Sequence, residues 1–265
     1  ADGGAGTDSV VITDGLAGTD LDDIFTSYEN VTIGGAGDVY SINNAGASDI
    51  ADIDMNDETT LVIDGGANVT APVDSDAADQ TVSISNGTLT GNINQGADDD
   101  SVIIDPTGTY AGAIDQGTGD DSISIDIDTG NFTGSTDGNG GTDTIAFNST
   151  VDQTLDGTVP TNTNYEVLSL DGDSTWTIVP TTPSYDTINL IDNTDLAVGS
   201  GATNNADVNG DTGDNAMTIS GTQAGDVALA GGDDAVLFDL DAGGNFTGTV
   251  SVSYTHLTLP TRKLV

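Results

Sequence analysis

Gly87-Thr88-Leu89-Thr90-Gly91-Asn92-Ile93, followed by Gln95-Gly96-Ala97-Asp98-Asp99-Asp100-Ser101-Val102-Ile103-Ile104, is written again as Gly108-Thr109-Tyr110-Ala111-Gly112-Ala113-Ile114 and Gln116-Gly117-Thr118-Gly119-Asp120-Asp121-Ser122-Ile123-Ser124-Ile125. A third copy runs Gly130-Asn131-Phe132-Thr133-Gly134, then Gly140-Gly141-Thr142-Asp143-Thr144-Ile145-Ala146-Phe147. Leu89, Tyr110 and Phe132 stand 21 and 22 positions apart, and Val102, Ile123, Ile145 and Ile104, Ile125, Phe147 keep the same steps. Short strand-like runs, glycine turns and a fixed period of this length define a solenoid, in which each repeat buries its apolar face only against its neighbours. The spacing predicts an all-β chain, a right-handed parallel β-helix with about 20–22 residues per rung.

Outward from that stretch the period holds. Tyr40, Leu61, Val82, Val102, Ile123 and Ile145 form one apolar column, and Ile42, Ile63, Ile84, Ile104, Ile125 and Phe147 form a second, two residues along and so on the same strand face. Val69, Leu89, Tyr110 and Phe132 form a third. Residues 149–166, with Pro160, interrupt the pattern and read as a loop excursion. The period then resumes: Leu168 and Leu170 lie 20 positions before Ile188 and Leu190, and Trp176 and Ile178 lie 20 before Leu196 and Val198. Met217 and Ile219 precede Val236 and Phe238 by 19, and Gly244–Gly248 repeats Gly130–Gly134 letter for letter. No stretch carries a 3.6-residue apolar stripe with caps, so almost no helix is expected. Residues 1–251 read as a single solenoid domain.

The composition agrees. The chain of 265 residues holds 44 acids against 2 bases, for a formal net charge of −42, and Glu29, Glu58 and Glu166 are its only glutamates. Asp serves turns and hard-cation sites, whereas Glu favours helices. Such a charge argues against nucleic-acid and anionic-membrane partners, both of which need basic surface. High net charge also marks disordered chains, but the apolar ladder opposes that reading. Cysteine is absent, which excludes disulfides and thiol chemistry. No apolar run reaches the roughly 18–20 residues needed to span a bilayer. The chain starts at Ala1, without Met or a signal peptide, and reads as a mature or truncated piece.

The end of the chain differs. Residues 252–265 contain the one histidine, His256, and both bases, Arg262 and Lys263. This tail resembles the translation of a transposase-type sequencing adapter, which implies that the natural sequence ends near Ser251.

Stacked rungs place Asp100, Asp121 and Asp143 at one corner. Two carboxylates one rung apart, about 4.8 Å, repel by about 0.9 kcal/mol at ε ≈ 80 and about 3.5 kcal/mol at ε ≈ 20. With no base in residues 1–251, bound cations would relieve that repulsion. Ca2+ fits, because it takes six to eight oxygen ligands from carboxylates and turn carbonyls. The candidate metal ligands are Asp8, Asp98, Asp100, Asp120, Asp121, Asp143, Asp233 and Asp234. The alternative is that these side chains close Asx-type turns in solvent.

Two resemblances bear on function. Gly3–Val11 resembles the RTX nonapeptide, and Gly117–Ile123 resembles all but its first glycine; a calcium-binding repeat region of a secreted protein is what this implies. Here, however, the turns recur once per rung rather than in tandem, and Asp98 replaces a turn glycine. The cadence of Gly140–Ile145, Asn164-Tyr165-Glu166-Val167-Leu168-Ser169-Leu170 and Ser174-Thr175-Trp176-Thr177-Ile178 is similar to passenger regions of bacterial autotransporters and related surface β-helix proteins. That resemblance implies export to the bacterial cell surface and a structural or adhesive role, with divalent cations and a host, cell-surface or glycan ligand as partners. Some β-helices act on polysaccharides, and hydrolysis needs only carboxylates. Yet residues 1–251 lack the Lys, Arg or His that a lyase base or an activated serine would use, so catalysis is not expected.

Overall fold

The computed structural model describes residues 9–13, 19–20, 30–43, 50–128, 131–156, 161–182 and 184–252. The fold is a parallel β-solenoid of about 10 turns spaced about 21 residues apart, and no helix occurs among the described residues. The chain divides into two compact units, Ala1–Ile145 with Pro160–Tyr165 and Ala146–Val159 with Glu166–Val265.

In the first unit, one sheet stacks Val39–Ile42, Thr60–Ile63, Thr81–Ile84, Ser101–Ile104 and Ser122–Asp126 in parallel. Tyr40 pairs with Leu61, Leu61 with Val82, Val82 with Val102 and Val102 with Ile123, so the first column is the register itself. Alternation along each strand sends these side chains inward, and every member is at most 1% exposed. A large aliphatic side chain so covered contributes roughly 1.5–3 kcal/mol. The column Val69, Leu89, Tyr110, Phe132 is likewise a register, although Phe132 is only half-buried.

A further side of the coil carries a column absent from the sequence reading. Val31, Ile53, Val73, Ile93 and Ile114 stack in register and are buried, and Thr136 and Asn162 continue the line with polar groups. Thr161–Thr163 is therefore a strand on Ser135–Asp137.

In the second unit, Val167–Asp171, Thr187–Leu190, Asp207–Gly210, Val227–Leu229 and Val250–Val252 stack as one sheet. Gln153–Leu155, Thr175–Ile178, Asp195–Val198, Ala216–Ile219 and Ala235–Phe238 form another. Gln153–Leu155 thus lies within the segment read as an excursion. Trp176 is fully buried and stacks on Phe147 with ring centroids 6.1 Å apart. Val252 is the last described residue, pairing with Leu229; the rest of the tail lies outside the described residues.

Stacking constrains the turns as well. A Cβ built on Gly119 would collide with the carbonyl oxygen of Asp98 on the preceding rung, and one on Gly141 with that of Gly119. Both glycines also hold positive φ, at 154° and 153°. Asp98, one rung earlier in this column, adopts φ 72°, a left-handed conformation that Asp tolerates better than most residues.

Candidate functional site

The turns Gln95–Ser101, Gln116–Ser122 and Gly138–Thr144 lie over one another and carry neighbouring acids whose carboxylates bond in opposite directions. In the outer column, Asp79 Oδ1 accepts the backbone N–H of Asp99 (3.0 Å), Asp99 Oδ1 that of Asp120 (2.8 Å), and Asp120 Oδ1 that of Thr142 (2.7 Å). In the inner column, Asp100 Oδ1 accepts the N–H of Gln80 (2.7 Å), Asp121 Oδ1 that of Asp100 (2.7 Å), and Asp143 Oδ1 that of Asp121 (2.9 Å). One acid of each pair thus bonds the rung after it and the other the rung before it. The second unit repeats the arrangement: Asn193 accepts from Asp214 and Asp214 from Asp233, while Asp234 accepts from Asn215. These carboxylate bonds satisfy turn N–H groups and add to the backbone bonds that also join the turns, such as Thr118 N–H to the Gly96 carbonyl (3.1 Å) and Ser122 N–H to the Asp100 carbonyl (2.9 Å).

The two columns differ in environment. Asp100, Asp121, Asp143 and Asp234 are 2%, 1%, 0% and 3% exposed, whereas Asp98, Asp99, Asp120, Asp214 and Asp233 are not buried. Burial pushes the Asp100 carboxyl up to about 7 and that of Asp121 up to about 6. The backbone N–H bonds oppose the shift, and carboxylates in the same and neighbouring turns reinforce it. Among the expected ligands, Asp100, Asp121 and Asp143 therefore share the inner column, and Asp120 lies in the outer one. Asp98 sits at the exposed turn apex, Asp233 and Asp234 occupy the second unit, and Asp8 lies outside the described residues.

A second acidic array was missed by the sequence reading. The outward column of the first unit runs Thr32, Asp54, Asp74, Asn94, Asp115, Asp137, Thr163, one residue per rung. Thr32 donates to Asp54 (3.3 Å), Asn94 to Asp74 (2.5 Å), Asn139 to Asp115 (2.6 Å) and Asn164 to Asp137 (2.7 Å). Carboxylate oxygens of Asp52, Asp54 and Asp74 lie within 4.8 Å of one another. Burial raises the pKa of Asp52, and the charges of Asp54 and Asp74 add to the rise. The signal was available, because Asp54, Asp74, Asn94, Asp115 and Asp137 keep steps of 20, 20, 21 and 22.

Comparison with protein-family models, with curated proteins and with solved structures finds no match to this chain. No helix among the described residues is long and apolar enough to cross a membrane.

Proposed function

We propose that the chain is a structural or adhesive β-solenoid of a bacterial exported protein, acting at the cell surface without catalysis. The observation that carries this reading is the outward column Thr32–Thr163, a polar face repeated rung after rung in fixed register. Such a face suits multivalent contact with another repetitive surface, in which weak equivalent contacts add through effective concentration. The corner acids support the same reading, because Oδ1 of Asp99, Asp100, Asp120, Asp121 and Asp143 is engaged with backbone N–H groups. Immobilised protein should retain cells or glycans saturably and release no product. Absence of retention on host cells, matrix proteins and a broad glycan panel would overturn the proposal.

A second reading rests on Asp52, Asp54 and Asp74, whose carboxylates gather on a strand face, as a glycan-hydrolysing site would require. Under that reading the protein releases oligosaccharide from a polysaccharide, and Asp54→Asn abolishes release while leaving the β-sheet CD spectrum unchanged. No release from neutral or acidic polysaccharides would remove it.

A further inference from the structure

Beneath the turns of the first unit lies a group of oxygens that the protein does not pair. Gln80 Oε1, Gln95 Oε1, Asp100 Oδ2 and Asp121 Oδ2 are buried with no hydrogen-bond partner, on side chains 1%, 4%, 2% and 1% exposed. They share one place in the fold. The Gln80 backbone N–H donates to Asp100 Oδ1, and the Asp100 N–H donates to Asp121 Oδ1. Gln95 Nε2 donates to the Ser101 carbonyl (3.4 Å), which sets its amide head beside the residue that follows Asp100.

The next rung provides an internal contrast. Gln116 makes the same contact with the Ser122 carbonyl (2.9 Å), but its Oε1 accepts the hydroxyl of buried Tyr165 (2.6 Å). No such donor reaches Gln95 Oε1. A buried acceptor without a donor is destabilising, the more so when it is charged, and residues 1–251 contain no Lys, Arg or His.

We propose that a calcium-class divalent cation binds inside this corner between Asp100 Oδ2 and Asp121 Oδ2, with the Gln95 amide oxygen as a third ligand. Three arguments carry it. One dication neutralises the two carboxylates. Successive rungs rise by about 4.8 Å, which is about twice a Ca–O distance of 2.3–2.6 Å, so one ion spans them. Magnesium, with ligands at about 2.0–2.1 Å and a held water shell, is too small for that span. The site is internal: Asp98 stays outside it, and Asp99 and Asp120 have Oδ1 committed to backbone N–H groups. The inference does not depend on adhesion or on the strand-face acids.

The test is titration of the full chain, stripped with chelator, with calcium chloride in competition with a chromophoric chelator. One tight site per chain is expected. Asp100→Asn with Asp121→Asn should abolish it, while Asp98→Asn with Asp99→Asn and Asp120→Asn should leave it intact. Asn keeps the Oδ1 acceptor in every case. Gln95→Met leaves both bonding columns in place and should weaken the tight site about tenfold or more; this single variant decides the matter if the double variant does not fold. No tight site in the folded wild-type chain, a site lost only with the outer acids, or full affinity in Gln95→Met would each overturn the proposal.

Discussion

Asp121 Oδ1 accepts the backbone N–H of Asp100 at 2.7 Å across a rung, so a side chain performs at the corner the bonding that the backbone performs in the sheet. Asp121→Ala leaves that buried donor unpaired, whereas Asp121→Asn preserves the acceptor. The alanine variant should lose about 1–3 kcal/mol in urea unfolding, and the asparagine variant should lose clearly less. Equal losses would show that the bond contributes nothing to stability.

Gly141 tests the stacking itself. A Cβ there meets the Gly119 carbonyl oxygen, whereas one on neighbouring Gly140 meets nothing within 4 Å. Gly141→Ala should cost about 3 kcal/mol or more through the forced backbone shift and the positive φ. Gly140→Ala should fall within about 1 kcal/mol of wild type. Indistinguishable thermal unfolding of the two variants would contradict the close approach of these turns.

Stability should depend on pH with an unusual sign. Burial raises the Asp100 and Asp121 carboxyls above their value of 3.8, to about 7 and about 6. Between those limits the unfolded chain has released protons that the native chain still holds. Stability is therefore fully present below about pH 4 and declines as pH rises to about 7. In chelator-containing buffer, Tm should be higher at pH 5 than at pH 8. The formal charge of −42 pushes the same way, so the control is the Asp100→Asn, Asp121→Asn variant, in which the difference should shrink. Added calcium should recover part of the loss at pH 8 in the wild type.

Trp176, the chain's one tryptophan, is fully buried against Phe147. Trp176→Ala should cost about 3–5 kcal/mol. Trp176→Phe should cost far less, because the indole Nε1 has no partner to lose. Wild-type emission should be blue-shifted and move to the red in one transition as the second unit unfolds; an emission maximum typical of exposed indole in the native protein would refute the burial.

The period, the all-β class and the column from Tyr40 to Ile123 followed from the sequence alone, because stacking forces equivalent residues to recur at equal steps and side chains to alternate along each strand. Thr136 and Asn162 show where that signal weakens: they complete the column begun by Val31 and Ile53, but their polarity disguises an inward position. Asp54 and Asp74 show the converse, a regular step overlooked because their neighbours are not glycine turns.

Tertiary structure alone decided which of two adjacent acids turns inward. Asp120 and Asp121 are the same residue type one position apart, yet one is exposed and bonds the rung after it, while the other is buried and bonds the rung before it. Their identity in the sequence is shared, whereas their environments are set by the local path of the turn and by the rungs on either side. Sequence spacing fixes which residues stack; the fold of the turn fixes which of their oxygens water can reach.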